Sequence, residues 1–162
     1  MKLHIANGRV IDPANHIDKQ QDIYIDQGRI IAFHTQPDGF NADKIIDANG
    51  LIVCPGLIDI SARLGEPSHQ HTDNITSETK AAAKGGITTL CIPPDTDPVI
   101  DIPAVVELIQ DRAKHCQRTK IYTIGALTQG LKGELLSEML SLKQAGCLGI
   151  SNGLQQIDNT LV

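Results

Sequence analysis

The sequence predicts an α/β protein in which a small β-rich module precedes a series of alternating strands and helices. Two observations support this fold class. The first 53 residues contain short β-branched runs separated by Asn-Gly and Gln-Gly turns, which are typical of β-structure. From residue 54 onward, continuous apolar runs alternate with amphipathic segments, and this rhythm indicates a parallel sheet covered by helices. The expected domains are therefore residues 1–53 and 54–162.

Three turn signals divide the β-rich module into pairs of strands. Asn7-Gly8 is a strong type I′ hairpin signal, and Gln27-Gly28 and Asn49-Gly50 are placed in the same way between apolar runs. We therefore expect a pair of strands around each turn. The flanking runs are residues 2–5 and 9–11, 22–26 and 29–33, and 44–47 and 51–53.

Four strands and three helices are predicted in the second domain. Asp73 or a neighbour is expected to cap the first helix, which Gly85-Gly86 ends, and Asp101 to cap the second, with Pro103 in its first turn. Gly146 is expected to end the third helix. The predicted strands are residues 57–60, 87–92, 120–127 and 147–151, and the first and third helices are residues 74–84 and 134–145.

The composition excludes several classes of partner. The net charge is −5 and the basic residues are scattered, so nucleic acid is not an expected partner. Aromatic residues make up 2% of the chain, which leaves almost nothing to stack on bases. Neither a signal peptide nor an apolar run of membrane-spanning length is evident, so we expect a cytoplasmic protein without membrane contact. The four widely spaced cysteines are expected to be free thiols.

The stretch Cys54-Pro-Gly-Leu-Ile-Asp-Ile-Ser-Ala-Arg-Leu-Gly-Glu-Pro67 is the most informative part of the chain. It contains a predicted strand followed by several polar residues. Because alternate side chains of a strand share a face, Ser61 and Arg63 are expected to point in one direction and Ala62 in the other. Ser61 and Arg63 therefore stand as a pair on one side of the predicted strand.

Six motifs, together with that stretch, give the chain a family resemblance. In family order and at family spacing, the chain resembles the N-terminal part of the dihydroorotases of the amidohydrolase superfamily. The motifs are Asn7-Gly-Arg-Val-Ile-Asp12, Pro55-Gly-Leu-Ile-Asp59, Gly85-Gly-Ile-Thr-Thr89, Asp97-Pro-Val-Ile-Asp101, Pro103-Ala-Val-Val-Glu107 and Ile124-Gly-Ala-Leu-Thr-Gln-Gly-Leu-Lys-Gly133.

The resemblance implies a TIM-type (β/α)8 barrel and a β-domain built from both chain ends. Residues 54–162 would then supply strands one to four, the first half of the barrel, and residues 1–53 part of a composite module. A complete barrel needs about 250 residues, so we expect either a fragment of a longer protein or a half-barrel that pairs with another chain. A doubly wound open sheet of four strands is the alternative fold.

The resemblance also identifies the positions at which active relatives carry metal ligands and substrate contacts. Ser61 and Arg63 stand where those enzymes have two zinc-binding histidines, and Asn152 stands where the closest bacterial type has an aspartate ligand. Gly65 replaces an arginine and Pro94 an asparagine that hold the substrate carboxylate. Serine is a poor zinc ligand and arginine stays protonated, so neither a catalytic residue nor a bound metal is expected.

The lost histidines, together with the sequence Pro93-Pro-Asp-Thr96, are similar to the noncatalytic dihydroorotase homologues of bacteria. This resemblance implies a role as a silent subunit that assembles with aspartate carbamoyltransferase in pyrimidine biosynthesis, as a homo- or hetero-oligomer. The alternative is an active metal-dependent cyclic amidohydrolase that interconverts N-carbamoyl-aspartate and dihydroorotate. In that case the missing C-terminal half or a rearranged site would supply the ligands.

Other polar clusters have less specific explanations. His69-Gln-His71 is expected to lie in a solvated loop, where no acidic or cysteine partner stands at ligand spacing. Asp95, Asp97 and Asp101 are expected to serve as turn and helix-capping residues rather than to bind calcium or magnesium. Lys132 is expected to lie on the surface.

Overall fold

A computed structural model describes residues 1–65, 75–116 and 119–159. The chain divides into two compact units, Met1–Pro55 and Gly56–Val162. The first unit contains β-strands and one short 3-10 turn, Pro13–Asn15. The second contains four strands and three α-helices within its described residues. Each unit forms sheets of its own.

Seven strands form two sheets in the first unit. The four-stranded sheet has the order β5-β4-β1-β6, and the three-stranded sheet has the order β3-β2-β7. The strands are β1 (Lys2–Ala6), β2 (Arg9–Asp12), β3 (Ile17–Gln20), β4 (Ile23–Asp26), β5 (Arg29–Phe33), β6 (Lys44–Asp47) and β7 (Ile52–Val53).

The hairpin at Gln27-Gly28 is confirmed, whereas those at the two Asn-Gly turns are wrong. Gln27 and Gly28 have φ values of 48° and 74°, and they join the antiparallel strands β4 and β5. At Asn7-Gly8 and Asn49-Gly50, the chain instead crosses from one sheet to the other. As a result, β1 runs parallel to β6 in one sheet, and β2 runs parallel to β7 in the other.

Close packing explains why glycine stands at the first crossing. A Cβ atom at Gly8 would lie 2.6 Å from Val53 Cγ2 and 3.1 Å from Ala48 Cβ. The two crossings are also linked directly, because the Asn7 amide nitrogen donates to Asp47 Oδ1 over 3.1 Å. Gly8 therefore allows two chain segments to approach each other. The local turn signal does not specify which strands pair.

A polar cluster ties β1 to β4 in the first unit. The backbone N–H of Asn7 donates to Asp22 Oδ1 over 3.0 Å, and His4 Nε2 lies 2.8 Å from Asp22 Oδ2. The Asn7 hydrogen bond and, to a smaller extent, the contacts with His4 and Tyr24 hold the pKa of Asp22 below its ordinary value. The His4 ring stacks on Tyr24, with ring centroids 4.6 Å apart.

The second unit contains a curled, fully parallel sheet that forms half a barrel. Its strands are β8 (Leu57–Asp59), β9 (Ile87–Ile92), β10 (Lys120–Ala126) and β11 (Gly149–Ser151), and its helices are α1 (Ile75–Lys84), α2 (Pro103–Lys114) and α3 (Met139–Ala145). The spatial order β11-β10-β9-β8 follows the chain order without reversal. A doubly wound sheet would reverse its order at a switch point, so the half-barrel is the better description.

An aliphatic cluster packs α2 and α3 against the sheet. Each fully buried side chain of this kind contributes about 1.5–3 kcal/mol relative to leaving it in water. The cluster also explains the apolar spacing of α2, where Val105, Val106 and Ile109 are buried on one side. Its buried members are Ile92, Ile100, Val105, Val106, Ile109, Leu142 and Cys147.

The end of the first helix and the place of Pro103 in the first turn of the second agree with the predictions, but the cap of the second helix does not. Helix α1 ends at Gly85-Gly86, where Gly86 has a φ of +82°, while Asp73 lies outside the described residues. Asp101 does not cap α2, which apolar Ile102 precedes. The Asp101 carboxylate instead accepts a hydrogen bond of 2.8 Å from the backbone N–H of Gly130.

The third helix is shorter than predicted, because residues 134–138 take part in another structure. The N–H of Gln129 donates to Leu135 O over 2.8 Å, and the N–H of Ser137 donates to Leu127 O over 2.9 Å. These bonds hold the segment beside the end of β10, so the helix begins at Met139. Gly146 ends it with a φ of +112°, as predicted.

No helix among the described residues combines the length and the hydropathy needed to cross a bilayer.

Candidate functional site

The candidate site lies at the carboxyl ends of the four parallel strands. Four segments emerge there, and we number them in chain order. Loop 1 follows β8, loop 2 follows β9, loop 3 follows β10 and loop 4 follows β11; they are residues 60–65, 93–102, 127–138 and 152–156. Binding sites of α/β barrels are built from loops at this end of the sheet. All five residues singled out by the family resemblance lie in these loops.

Loop 1 preserves the alternation expected for a strand, although β8 ends at Asp59. Asp59 Oδ1 accepts a hydrogen bond of 2.9 Å from the backbone N–H of Ser61, which turns the chain. Ala62 is buried, and its N–H donates to Cys91 O over 3.0 Å. Ser61 and Arg63, on either side of Ala62, are exposed. The strand pattern thus gives the correct burial for all three residues.

Arg63 forms an ion pair with Asp95 of loop 2. Its Nε and Nη2 atoms lie 3.2 Å and 2.9 Å from Asp95 Oδ2, with 53% of the Arg63 side chain and 26% of the Asp95 side chain exposed. Asp95 was expected to serve in a turn, and its pairing with Arg63 was not predicted. Thirty-two residues separate the pair, so no local pattern reveals it.

Gly65 and Pro94 are both held by their surroundings. The backbone N–H of Gly65 donates to both carboxylate oxygens of Glu78 in α1, each over 3.1 Å. Pro94 is fully buried. Its ring lies close to Gly153 of loop 4, where a Cβ atom would be 3.9 Å from Pro94 Cγ and from Asp95 Cβ.

Asn152 uses both ends of its amide group. Its Oδ1 accepts a hydrogen bond of 2.7 Å from the buried hydroxyl of Thr128, and its Nδ2 donates to Gln155 O over 3.1 Å. The same Thr128 oxygen accepts from the N–H of Gly133 over 3.0 Å. Asn152 therefore connects loop 4 to loop 3, and it requires an amide because it both donates and accepts.

Two of the three side chains at the positions that the resemblance assigns to metal ligands have partners of their own. The Asn152 oxygen already accepts from Thr128, and the Arg63 guanidinium places a positive charge beside Asp95. Within residues 1–65, 75–116 and 119–159, no three His, Cys, Asp or Glu side chains come together as a metal site would require. His69 and His71 lie outside the described residues.

The other candidates separate in space. Asp95 binds Arg63, whereas Asp101 binds the backbone of Gly130. Lys132 is exposed, as expected for a surface residue. Burial is the main factor that raises the pKa of the Cys91 and Cys147 thiols, so both behave as small apolar residues rather than as reactive groups.

Comparison with known sequences identifies a family and close relatives. The family model described as "Dihydro-orotase-like" matches residues 50–160. A dihydroorotase-like protein of Pseudomonas putida is 48% identical over 98% of this chain, and a dihydroorotase of Geobacter metallireducens is 42% identical over 99%. The chain spans 38% of the length of each of these two relatives.

Comparison with solved structures supports the fold. L-Hydantoinase from Arthrobacter aurescens superimposes with a TM-score of 0.73 at 21% identity, over 91% of this chain and 32% of the enzyme. A crystal structure of a dihydroorotase superimposes with a TM-score of 0.63 at 16% identity, over 92% of this chain and 41% of that protein. These similarities confirm an α/β fold with a curled parallel half-barrel sheet.

Proposed function

Because this chain belongs to the dihydro-orotase-like family, we propose that it acts as a catalytically silent dihydroorotase-like subunit. In this role it supports aspartate carbamoyltransferase in de novo pyrimidine biosynthesis, in the cytoplasm, within a homo- or hetero-oligomer. The observation that carries the proposal is the ion pair between Arg63 and Asp95. It stands at a position where, by resemblance, active relatives carry a metal-binding histidine.

The chemistry of that position opposes a bound cation. A guanidinium keeps its positive charge at physiological pH and offers only donors, so it cannot coordinate zinc. Two unit charges of the same sign 4 Å apart repel each other by about 4 kcal/mol near a protein surface. Ser61 is the other member of the pair, and a neutral serine hydroxyl is a weak ligand compared with the imidazoles, thiolates and carboxylates that hold zinc.

The positions that would hold the substrate support the same proposal. Gly65 has no side chain, and its N–H is already bonded to Glu78. Pro94 has no N–H donor and is fully buried, so it cannot replace an asparagine amide that binds a carboxylate. Asn152 provides a neutral amide whose two ends are occupied by Thr128 and Gln155. Substrate contacts and metal ligands are therefore altered together.

An active cyclic amidohydrolase is the second candidate, and the names of the relatives favour it. Proteins of Syntrophotalea carbinolica and Geobacter metallireducens, 43% and 42% identical to this chain, are both named dihydroorotase. In that case, residues elsewhere in the full-length protein would supply the metal ligands, and the enzyme would interconvert N-carbamoyl-aspartate and dihydroorotate. The altered residues in loops 1, 2 and 4 place this candidate second.

Elemental analysis of the purified full-length protein distinguishes the two candidates. After washing with a chelator, we expect far less than one zinc or manganese ion per chain and no turnover of dihydroorotate. An active dihydroorotase prepared in parallel serves as the control, since its metal and activity should survive the same wash. One retained ion per chain, together with turnover, would establish the amidohydrolase instead.

Co-expression with aspartate carbamoyltransferase tests the proposed partner. We expect the two proteins to elute together from a size-exclusion column, and the yield or activity of the carbamoyltransferase to fall when this protein is omitted. The expectation rests on the family resemblance and on one physical point. The sequence still specifies the strands, turns and helices, while the residues at the family's catalytic positions are altered. A surface that could bind a partner is therefore retained. A carbamoyltransferase that elutes alone with full activity would contradict the proposal.

A further inference from the structure

The four carboxyl-end loops are joined to one another by contacts between them. The first contact is the ion pair of Arg63 and Asp95, which connects loop 1 to loop 2. Both Arg63 nitrogens approach the same carboxylate oxygen. With 26% of its side chain exposed, Asp95 is partly shielded from water, and this shielding strengthens the pair relative to a fully solvated one.

The second contact connects loop 2 to loop 3. Asp101 Oδ2 accepts a hydrogen bond of 2.8 Å from the backbone N–H of Gly130. Strands β9 and β10, from which these loops emerge, are neighbours in the sheet. The hydrogen bond therefore fixes the two adjacent loops to each other.

The third contact connects loop 4 to loop 3. The Thr128 hydroxyl donates to Asn152 Oδ1 over 2.7 Å and is fully buried. Because Asn152 also donates to Gln155 O, its amide fixes both the start and the end of loop 4. Burial makes such a bond costly to break, since an unpaired hydroxyl in the interior cannot bond to water instead.

We propose that these three contacts act together as a brace that fixes loops 1 to 4 relative to one another without a metal ion. The contacts join the loops in chain order: Arg63 to Asp95, Gly130 to Asp101, and Thr128 to Asn152. Within this series, Arg63 and Asn152 are positioning residues for the surface at the carboxyl end of the sheet. The inference goes beyond the proposed function, because the brace would operate whether or not a carbamoyltransferase binds.

Backbone hydrogen exchange of the full-length protein, measured by mass spectrometry, tests the brace. Arg63→Gln removes the charge and keeps most of the side-chain volume. We expect exchange to rise about two- to fivefold, the range for loss of a partly exposed ion pair. The rise should include residues 93–102 and 152–156 as well as loop 1. Asp95→Asn should give the same pattern, and the double variant should show no more exchange than either single variant.

Two further variants sharpen the test. Arg9→Gln is the matched control, because Arg9 and Asp18 form an exposed ion pair, 2.7 Å long, in the first unit; it should leave loops 1 to 4 unchanged. Asn152→Asp preserves the shape and the oxygen that accepts from Thr128 but loses the donor to Gln155, so exchange should rise in loop 4.

Two outcomes would overturn the brace. In the first, the effect of Arg63→Gln is confined to residues 60–65, or the effects of Arg63→Gln and Asp95→Asn multiply in the double variant. In the second, a chelator raises exchange in the loops of the unmodified protein. The metal content of the protein is measured separately and tests the proposed function, so the two proposals can fail independently.

Discussion

Arg63 and Asn152 have definite structural partners in this protein. Arg63 contacts Asp95, and Asn152 contacts Thr128 and Gln155. From the sequence, the positive charge and the neutral amide could be predicted to oppose a metal ion. The partners could not be predicted, because Asp95 lies 32 residues from Arg63 and Thr128 lies 24 residues from Asn152. Local patterns carry no information about such distances.

Restoring the two histidines should not restore dihydroorotase activity. In Ser61→His with Arg63→His, the positions Gly65, Pro94 and Asn152 remain altered. Supporting residues of a metal site typically contribute about 10- to 100-fold each to activity or metal affinity, so we expect turnover indistinguishable from the starting protein. A steady-state assay with dihydroorotate measures this, and Ser61→Ala with Arg63→Ala is the matched control. Substantial turnover in the double-histidine variant alone would show that the remaining site is intact.

Strands, helices and hairpins were predicted correctly where the signal lay within a few residues. The helix α1, the strands β9 and β10 and the hairpin at Gln27-Gly28 are specified by apolar periodicity and glycine stops within a few residues. The hairpins at Asn7-Gly8 and Asn49-Gly50 failed, although Asn7 and Gly50 do adopt positive φ values of 63° and 74°. Strand partners were decided by the parallel pairing of segments about 40 residues apart, which the turn sequence does not encode.

A steric requirement explains the glycine of the Pro55-Gly-Leu-Ile-Asp59 motif and gives a second prediction. A Cβ atom at Gly56 would lie 2.7 Å from Thr88 Cβ and would also overlap the Thr88 methyl and hydroxyl groups. Gly56→Ala should therefore lower the free energy of unfolding by about 1–3 kcal/mol, as overpacking does. Urea denaturation of the full-length protein measures this change.

Two variants control the Gly56 prediction. Gly149→Ala adds the same atom to β11 where the nearest atom, Ile124 Cδ1, is 3.9 Å away, and its effect should stay within about 0.5 kcal/mol. Thr88→Ala combined with Gly56→Ala should recover only part of the loss, because Cβ of residue 88 remains. Equal stability of the Gly56→Ala and Gly149→Ala variants would contradict the steric explanation.

The fold class of the protein was predictable, but the contacts between segments distant in the chain were not. The alternation of apolar strands with helices predicted a parallel sheet, and the family resemblance implied the half-barrel; similarity to hydantoinase and dihydroorotase structures agrees with both. The shorter α3 was missed because residues 134–138 bond to the end of β10 instead of continuing a helix. These tertiary contacts override the helical periodicity of the leucines in the predicted helix, residues 134–145.

The 162-residue chain studied alone should self-associate. Large apolar side chains are exposed at both edges of the described sheet, including Ile58 in β8 at 64% and Ile60 just after it at 77%. At the other edge, Leu140 is 68% and Leu148 60% exposed. Unpaired edges with apolar neighbours favour association. Sedimentation velocity should therefore show a mean mass that rises with protein concentration.

Substitutions identify which surface causes the association. Leu140→Lys with Leu148→Lys should reduce the mean mass, because charges at an edge oppose pairing. Leu154→Lys is the control, since Leu154 is 86% exposed and lies beyond β11. A monodisperse monomer at all concentrations, with a cooperative melting transition, would show that the exposed edges are tolerated.

The paired crossings of the first unit also bear on how that unit unfolds. The strands that lead into the crossings, β1 and β6, are hydrogen-bonded side by side, and so are the strands that leave them, β2 and β7. The Asn7–Asp47 hydrogen bond joins the two crossing points. Two adjacent covalent connections therefore join the sheets. When the strands of one sheet separate, the paired strands of the other are displaced as well. We therefore expect the two sheets to unfold together, as one cooperative unit.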